Sequence, residues 1–275
     1  MSTSRIGVCS WSLQPESPDD LIGRLQRLGI DTVQLALSPL IHEPEIWSES
    51  VDLLRAAGVE IVSGMMTMAD ENYATLETIA STGGVRPNET WDANRVHAEA
   101  VAHAAQAGQI GLVTFHAGFL PEDPDDPERT VILDRLRSLA DIFLTRGIEI
   151  GLETGQESAE TLLAVLELLD RVNVGVNFDP ANMILYGTGE PVAALESLAP
   201  HVVQIHIKDA MPTDTPGTWG REVPAGAGDV DWPAFFETAA EISPPVDFII
   251  EREGGEDREP DIAAAKELIK RFLPR

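Results

Sequence analysis

The chain has 275 residues, 43% of them hydrophobic, and carries 46 acidic against 19 basic side chains for a formal net charge of -27. That apolar fraction excludes a disordered polymer, and so negative a surface makes nucleic acid and anionic lipid poor partners. One cysteine, Cys9, excludes an internal disulfide, no apolar run approaches the ~20 residues of a membrane span, and Met1 to Val8 lacks a signal-peptide pattern, so a soluble cytoplasmic protein is expected.

Short β-branched or apolar runs recur along the chain with helical stretches between them. They predict strands at Arg5–Cys9, Thr32–Leu37, Glu60–Gly64, Leu112–His116, Glu149–Glu153, Asn173–Asp179, Val202–Lys208 and Asp247–Glu251. This alternation calls for a parallel sheet covered by helices, and eight units in roughly 250 residues close a (β/α)8 TIM barrel. No linker or shift of composition divides the units, so one domain spans residues 1–275.

The first helix is announced by Ser17-Pro18-Asp19-Asp20, an N-cap followed by a first-turn proline and two acids at the positive end of the helix dipole. Leu21, Ile22, Leu25 and Leu28 form its apolar stripe and Gly29 stops it. Leu133, Leu136, Ala140 and Phe143 form such a stripe before strand five, and Leu162, Leu163, Leu166 and Leu169 form one after it; the last helix starts at Pro260 and ends near Phe272. Two connections, Phe119–Thr130 and Asp209–Asp231, are longer than packing requires and follow strands, which makes them candidate lids at the end of the barrel that holds active sites.

Side chains alternate along a strand, so the apolar set of each predicted strand identifies its helix-facing side. With Val203, Ile205 and Ile207 outward, Gln204, His206 and Lys208 point into the barrel; by the same parity Asn177, Asp179, Glu153, Glu251 and His116 point inward. Three carboxylates therefore converge on one mouth with two imidazoles. A pair of carboxylates about 4 Å apart repels by roughly 4 kcal/mol at an effective dielectric near 20, so the cluster calls for a cation. Three oxygen donors and one imidazole suit Mn²⁺ or Mg²⁺, with Co²⁺ or Zn²⁺ as open alternatives. Glu253 shares the parity of Glu251 and competes for its place, and His116 is as readily structural as functional. His97, His103, Glu43 and Glu45 read as solvated surface, Asp179-Pro180-Ala181-Asn182 as a turn, and Gly226-Ala227-Gly228 as a turn rather than a phosphate cradle.

Leu152-Glu153, Phe178-Asp179 with Asn182, Ile205 through Asp209, Val223-Pro224 through Trp232 and Ile250-Glu251 follow one another in an order that resembles the xylose isomerase-like barrel family, the sugar phosphate isomerase/epimerase group. The resemblance implies that Glu153, Asp179, His206 and Glu251 hold a divalent metal and that Glu153 and Glu251 also act as the catalytic acid/base pair. The chain departs from the epimerase pattern at Asn182, where a histidine is common, at Ala227 and Gln34, where acids are common, and at Pro212, where some epimerases carry arginine.

The expected reaction is proton transfer on a sugar or cyclitol through a metal-stabilised enediolate, giving epimerisation or isomerisation. His116, Asn182 and Lys208 are the expected substrate hydrogen-bonding groups, and Trp11 the expected stacking face. An inosose-type dehydratase on the same site and a noncatalytic carbohydrate-binding barrel are the alternatives. A phosphoesterase like endonuclease IV ranks below them, because it needs further histidines and a basic face. The partner expected is a small unphosphorylated sugar or polyol, and a homo-oligomer is open.

Overall fold

A computed structural model describes residues 4–215 and 217–273. Met1–Thr3 of the N-terminal segment, Pro216 of the long 209–231 connection, Pro274 and Arg275 lie outside the described residues. Among the described residues there are ten strands: β1 (Ile6–Cys9), β2 (Thr32–Ala36), β3 (Glu60–Met65), β4 (Leu112–Phe115), β5 (Glu149–Glu153), β6 (Val174–Phe178), β7 (Val202–Ile207), β8 (Asp209–Met211), β9 (Arg221–Val223) and β10 (Asp247–Ile250). Eight of them form a closed parallel barrel in the order β1-β10-β7-β6-β5-β4-β3-β2, the (β/α)8 architecture expected.

The outward residues Leu35, Val113, Phe115, Ile150, Leu152, Val176, Phe178, Ile205 and Ile207 are buried and share one core with the helix stripes at Leu136, Leu139, Phe143, Leu162 and Leu195. Burying each such side chain stabilises the fold by about 1.5–3 kcal/mol. The first helix, Pro18–Leu28, starts where its signals place it: Ser17 Oγ accepts from the Asp20 amide, and Gly29 ends the helix at φ 60°.

Two register shifts bear on the site. Between Val33 and Gln34 of β2 the partner on β3 moves from Ile61 to Ser63, and between Val176 and Asn177 of β6 the partner on β7 moves from Val202 to Gln204. Each extra residue lets neighbouring polar side chains meet inside the barrel. The second shift corrects one face assignment, because Val203 packs against Gly175 instead of facing the helices.

The 209–231 connection is more ordered than its composition suggests: β8 and β9 pair as an antiparallel hairpin. The Asp179–Asn182 turn is instead the start of a helix, Pro180–Tyr186, because an aspartate N-cap and a proline at the first position are strong helix-start signals. No helix among the described residues is long and apolar enough to cross a membrane.

Candidate metal and substrate site

Glu153 ends β5, and Asp179, His206 and Glu251 sit at or just past the ends of β6, β7 and β10. One ligand-type atom from each of the four lies within 4.8 Å of the others, and all four residues are buried. His206 Nδ1 is 3.3 Å from Glu251 Oε2, 3.6 Å from Glu153 Oε1 and 3.9 Å from Asp179 Oδ2. Neither His206 Nδ1 nor Asp179 Oδ2 has a hydrogen-bond partner. Buried polar atoms without partners are rare and costly, and these two face each other between two further carboxylates. The donor set fits a divalent cation.

The tautomer that exposes Nδ1 is set from behind. Gln34 Nε2 donates to Thr114 Oγ1 at 2.7 Å, which leaves Gln34 Oε1 to face His206 Nε2, also at 2.7 Å. Nε2 therefore keeps a proton and Nδ1 is the nitrogen turned to the cluster; burial opposes charge on the ring, but Cys9, Glu153 and Glu251 raise its pKa well above the usual value, so Nδ1 would bind a cation by giving up its own proton. Beneath the acids, Ser63 Oγ donates to Gln204 Oε1, Gln204 Nε2 to Asn177 Oδ1, and Asn177 Nδ2 to Glu153 Oε2. The register shifts make this chain of contacts possible. Strand parity turned Gln204 and Asn177 inward, but it gave no sign that they hold Glu153.

Asp179 is oriented by its helix. Its Oδ1 accepts from the Ala181 and Asn182 amides at 2.8 and 3.1 Å, so only Oδ2 is left for the cluster. Asn182 in turn donates from Nδ2 to Glu153 Oε1 at 3.0 Å. Lys208 Nζ lies 3.0 Å from Glu251 Oε2, 2.8 Å from Glu253 Oε2 and 3.4 Å from Asn182 Oδ1. The Trp11 indole N–H donates to Glu251 Oε1 at 2.8 Å, and His116 Nε2 is 3.5 Å from Glu153 Oε1. All the residues singled out for substrate binding thus touch one of the two glutamates. Glu251 belongs to the buried cluster, whereas the Glu253 side chain is 52% exposed and pairs with Lys208 at the rim.

The charges are strongly tuned. Burial pushes Glu251 up, but Lys208 and His206 outweigh it and hold the carboxylate well below its usual range. Burial opposes the charge on Lys208, yet Glu251, Glu253 and Asp179 raise the ammonium well above its usual range. Asp179 is pushed up to about 6, by burial first, with Glu251 and Glu153 adding to it against the opposing Lys208.

The cluster meets a cavity of about 670 Å³ through Glu251, while Glu153, Asp179, His206, Asn182 and Lys208 do not line it. Trp11, His116, Glu251 and Glu253 line it, and Met65 at the end of β3, with Met66, Glu71, Tyr73, Ser38 and His42 from the segments after β2 and β3, adds wall that the strand pattern did not single out. Glu43 also lines the mouth, although it is solvent-exposed as expected. His97 is half-buried rather than on the surface: its Nε2 is 2.9 Å from Ser38 Oγ, its ring stacks on His42 at 4.6 Å, and burial followed by His42 lowers its pKa to about 4. A helix-face pattern around His97 cannot reveal this, because the contact comes from a short helix, Ser38–His42, that no apolar periodicity announces.

The glycine turn does not cradle a ligand anion. Asp209 fills it, accepting at Oδ2 from Gly226 N at 2.8 Å and Gly228 N at 3.1 Å. A Cβ on residue 228 would lie 2.1 Å from Asp209 Oδ1, which explains the glycine.

A closed parallel barrel whose C-terminal mouth gathers a buried carboxylate and imidazole cluster defines a TIM-barrel protein with its polar site in the position typical of enzymes. The chain belongs to the xylose isomerase-like TIM barrel family, whose model matches residues 22–272. A crystal structure of a xylose isomerase domain protein from Planctomyces limnophilus is 33% identical, with a TM-score of 0.87 over 98% of this chain and 96% of that one. A D-tagatose 3-epimerase-like protein superposes with a TM-score of 0.75 at 20% identity, covering 98% of this chain and 96% of that one. The uncharacterized protein YihM of Escherichia coli is 27% identical over 109 residues, which are 39% of this chain and only 33% of that protein's length.

Proposed function

We propose that this chain is a divalent-metal-dependent sugar or cyclitol isomerase/epimerase that works by proton transfer, with Glu153, Asp179, His206 and Glu251 as the metal ligands. The observation that carries this reading is the pair of buried, unpartnered atoms, Asp179 Oδ2 and His206 Nδ1, facing each other between two glutamates. Magnesium or manganese suits the oxygen-rich set, and when bound such an ion polarises a substrate carbonyl.

The chain's own groups supply the rest. Glu153 and Glu251 approach the site from β5 and β10, three strands apart around the barrel. Each can take or return a proton at one carbon. Asn177, Asn182 and His116 fix Glu153, while Trp11 and Lys208 fix Glu251. Holding both acids in place lowers the entropic cost of proton transfer. A second outcome on the same site is dehydration, because the Lys208 ammonium, 3.0 Å from Glu251, can hydrogen-bond a departing hydroxyl and offset the negative charge that develops on it. Loss of one water from the product mass separates the two.

The test uses Glu153→Gln and Glu251→Gln in deuterated solvent with a polyol and ketose panel. Each variant should keep its fold and lose about 10²–10⁴-fold of the exchange rate into substrate, the usual contribution of a positioned acid/base. Wild-type exchange rates in both would sink the assignment.

A further inference from the structure

We propose that the site takes a two-unit carbohydrate, a glycoside or disaccharide, whose second unit occupies a chamber next to the carboxylate cluster. This rests on the sugar-directed reading above and extends it to the substrate's size. The second chamber is about 370 Å³ and shares Trp11, Ala36, Pro39 and Glu43 with the 670 Å³ cavity, so the two adjoin along those four residues. Each volume falls within the range of a small-ligand site, ~300–1,000 Å³, so the two chambers together exceed what a single sugar ring requires.

The chamber's chemistry selects its occupant. Trp11 stands between the two spaces with its indole N–H tied to Glu251, which fixes its ring at the boundary. Half-buried Trp47 supplies a second indole. Indole faces pack on the C–H faces of pyranose rings. Gln14, Glu16 and Glu43 add amide and carboxylate groups for hydroxyls. Gln14 holds a left-handed conformation, φ 49°, at the end of the 3-10 turn Ser10–Leu13, where glycine would relax the backbone. Among the described residues no lysine or arginine lines either chamber, and with glutamates on the walls this disfavours a phosphate, a nucleotide or a carboxylate as the second unit.

Calorimetric titration of the intact protein with maltose, cellobiose, lactose and sucrose, and with glucose, galactose and fructose separately, tests this. At least one disaccharide should bind about tenfold more tightly than either of its units, the scale of one good aromatic contact. Trp47→Ala should narrow that ratio to roughly threefold or less. Gln14→Gly, which relaxes the backbone while removing the amide, should narrow it too and decides the matter if Trp47→Ala fails to fold. A panel in which no disaccharide outbinds its units, or a folded variant pair that keeps the full ratio, overturns the proposal. Retained exchange in Glu153→Gln and Glu251→Gln would overturn the proton-transfer reading and leave this ratio untouched, so the two failures are distinguishable.

Discussion

Asp179 and Asp209 follow neighbouring barrel strands, are both fully buried, and differ in what surrounds their oxygens. Asp209 is saturated: Oδ1 accepts from Ala210 N and Val230 N, and Oδ2 from Gly226 N, Gly228 N and the Trp232 indole. Asp179 receives two amides on Oδ1 and nothing on Oδ2, the nearest cation being Lys208 Nζ at 3.7 Å. Residue type and burial are the same, so neither distinguishes a loop clamp from a ligand. The count of unsatisfied lone pairs does, because the protein solvates one anion itself and leaves the other needing an outside charge.

The largest effect should come from the saturated member. Asp209→Ala strands a set of buried amides and an indole N–H, and should cost about 3–5 kcal/mol in urea unfolding followed by circular dichroism. A loss below about 1 kcal/mol would mean that the loop finds other partners and that the contrast is false. Asp179→Asn keeps a capping oxygen for its helix, so the metal-free protein should melt at or above the wild-type temperature. Its Mn²⁺ affinity should fall on the order of 100-fold or more, since a carboxylate ligand matters at least as much as the groups supporting one. If Asp179→Asn unfolded as readily as Asp209→Ala, both aspartates would be structural. Gln34→Leu, which removes the acceptor behind His206 Nε2, should weaken Mn²⁺ about 10–100-fold by titration calorimetry, while Cys9→Ser should do less.

The barrel was legible because each strand alternates around a continuous apolar set, and His206, Glu153, Asp179 and Glu251 inherit their direction from that alternation. Their convergence followed from topology alone. Three things were not legible. The face of Val203 was misassigned because a bulge breaks the two-residue period locally and leaves no mark in the sequence. In the cavity wall, Glu71 and Tyr73 lie on an irregular segment whose path tertiary contacts decide, and His42 ends a helix too short to show a period, so neither period applied to them. The competition between Glu251 and Glu253 needed coordinates, because equal parity says nothing about which carboxylate the Trp11 indole holds beside His206.

Glu157 extends the contrast to a third kind of buried acid, one that neither saturates its oxygens with a loop nor faces the carboxylate cluster. It lies 6% exposed in the loop after β5, and burial alone pushes its carboxyl up to about 8. The unfolded chain releases this proton near the ordinary value of 4.5, so between pH 4.5 and about 8 the native state holds a proton the unfolded state has lost. Stability must then fall as pH rises through that window, and Glu157 contributes no slope on either side of it. Glu157→Gln removes the ionisation, so the stability difference between variant and wild type should be level below pH 4.5 and grow in the variant's favour as pH rises towards 8, and any cost of burying the amide shifts that difference equally at every pH. Melting curves of the two proteins across this range measure the difference. Parallel curves at every pH would show that water reaches Glu157, and that an acid can be buried in this loop without answering its own charge.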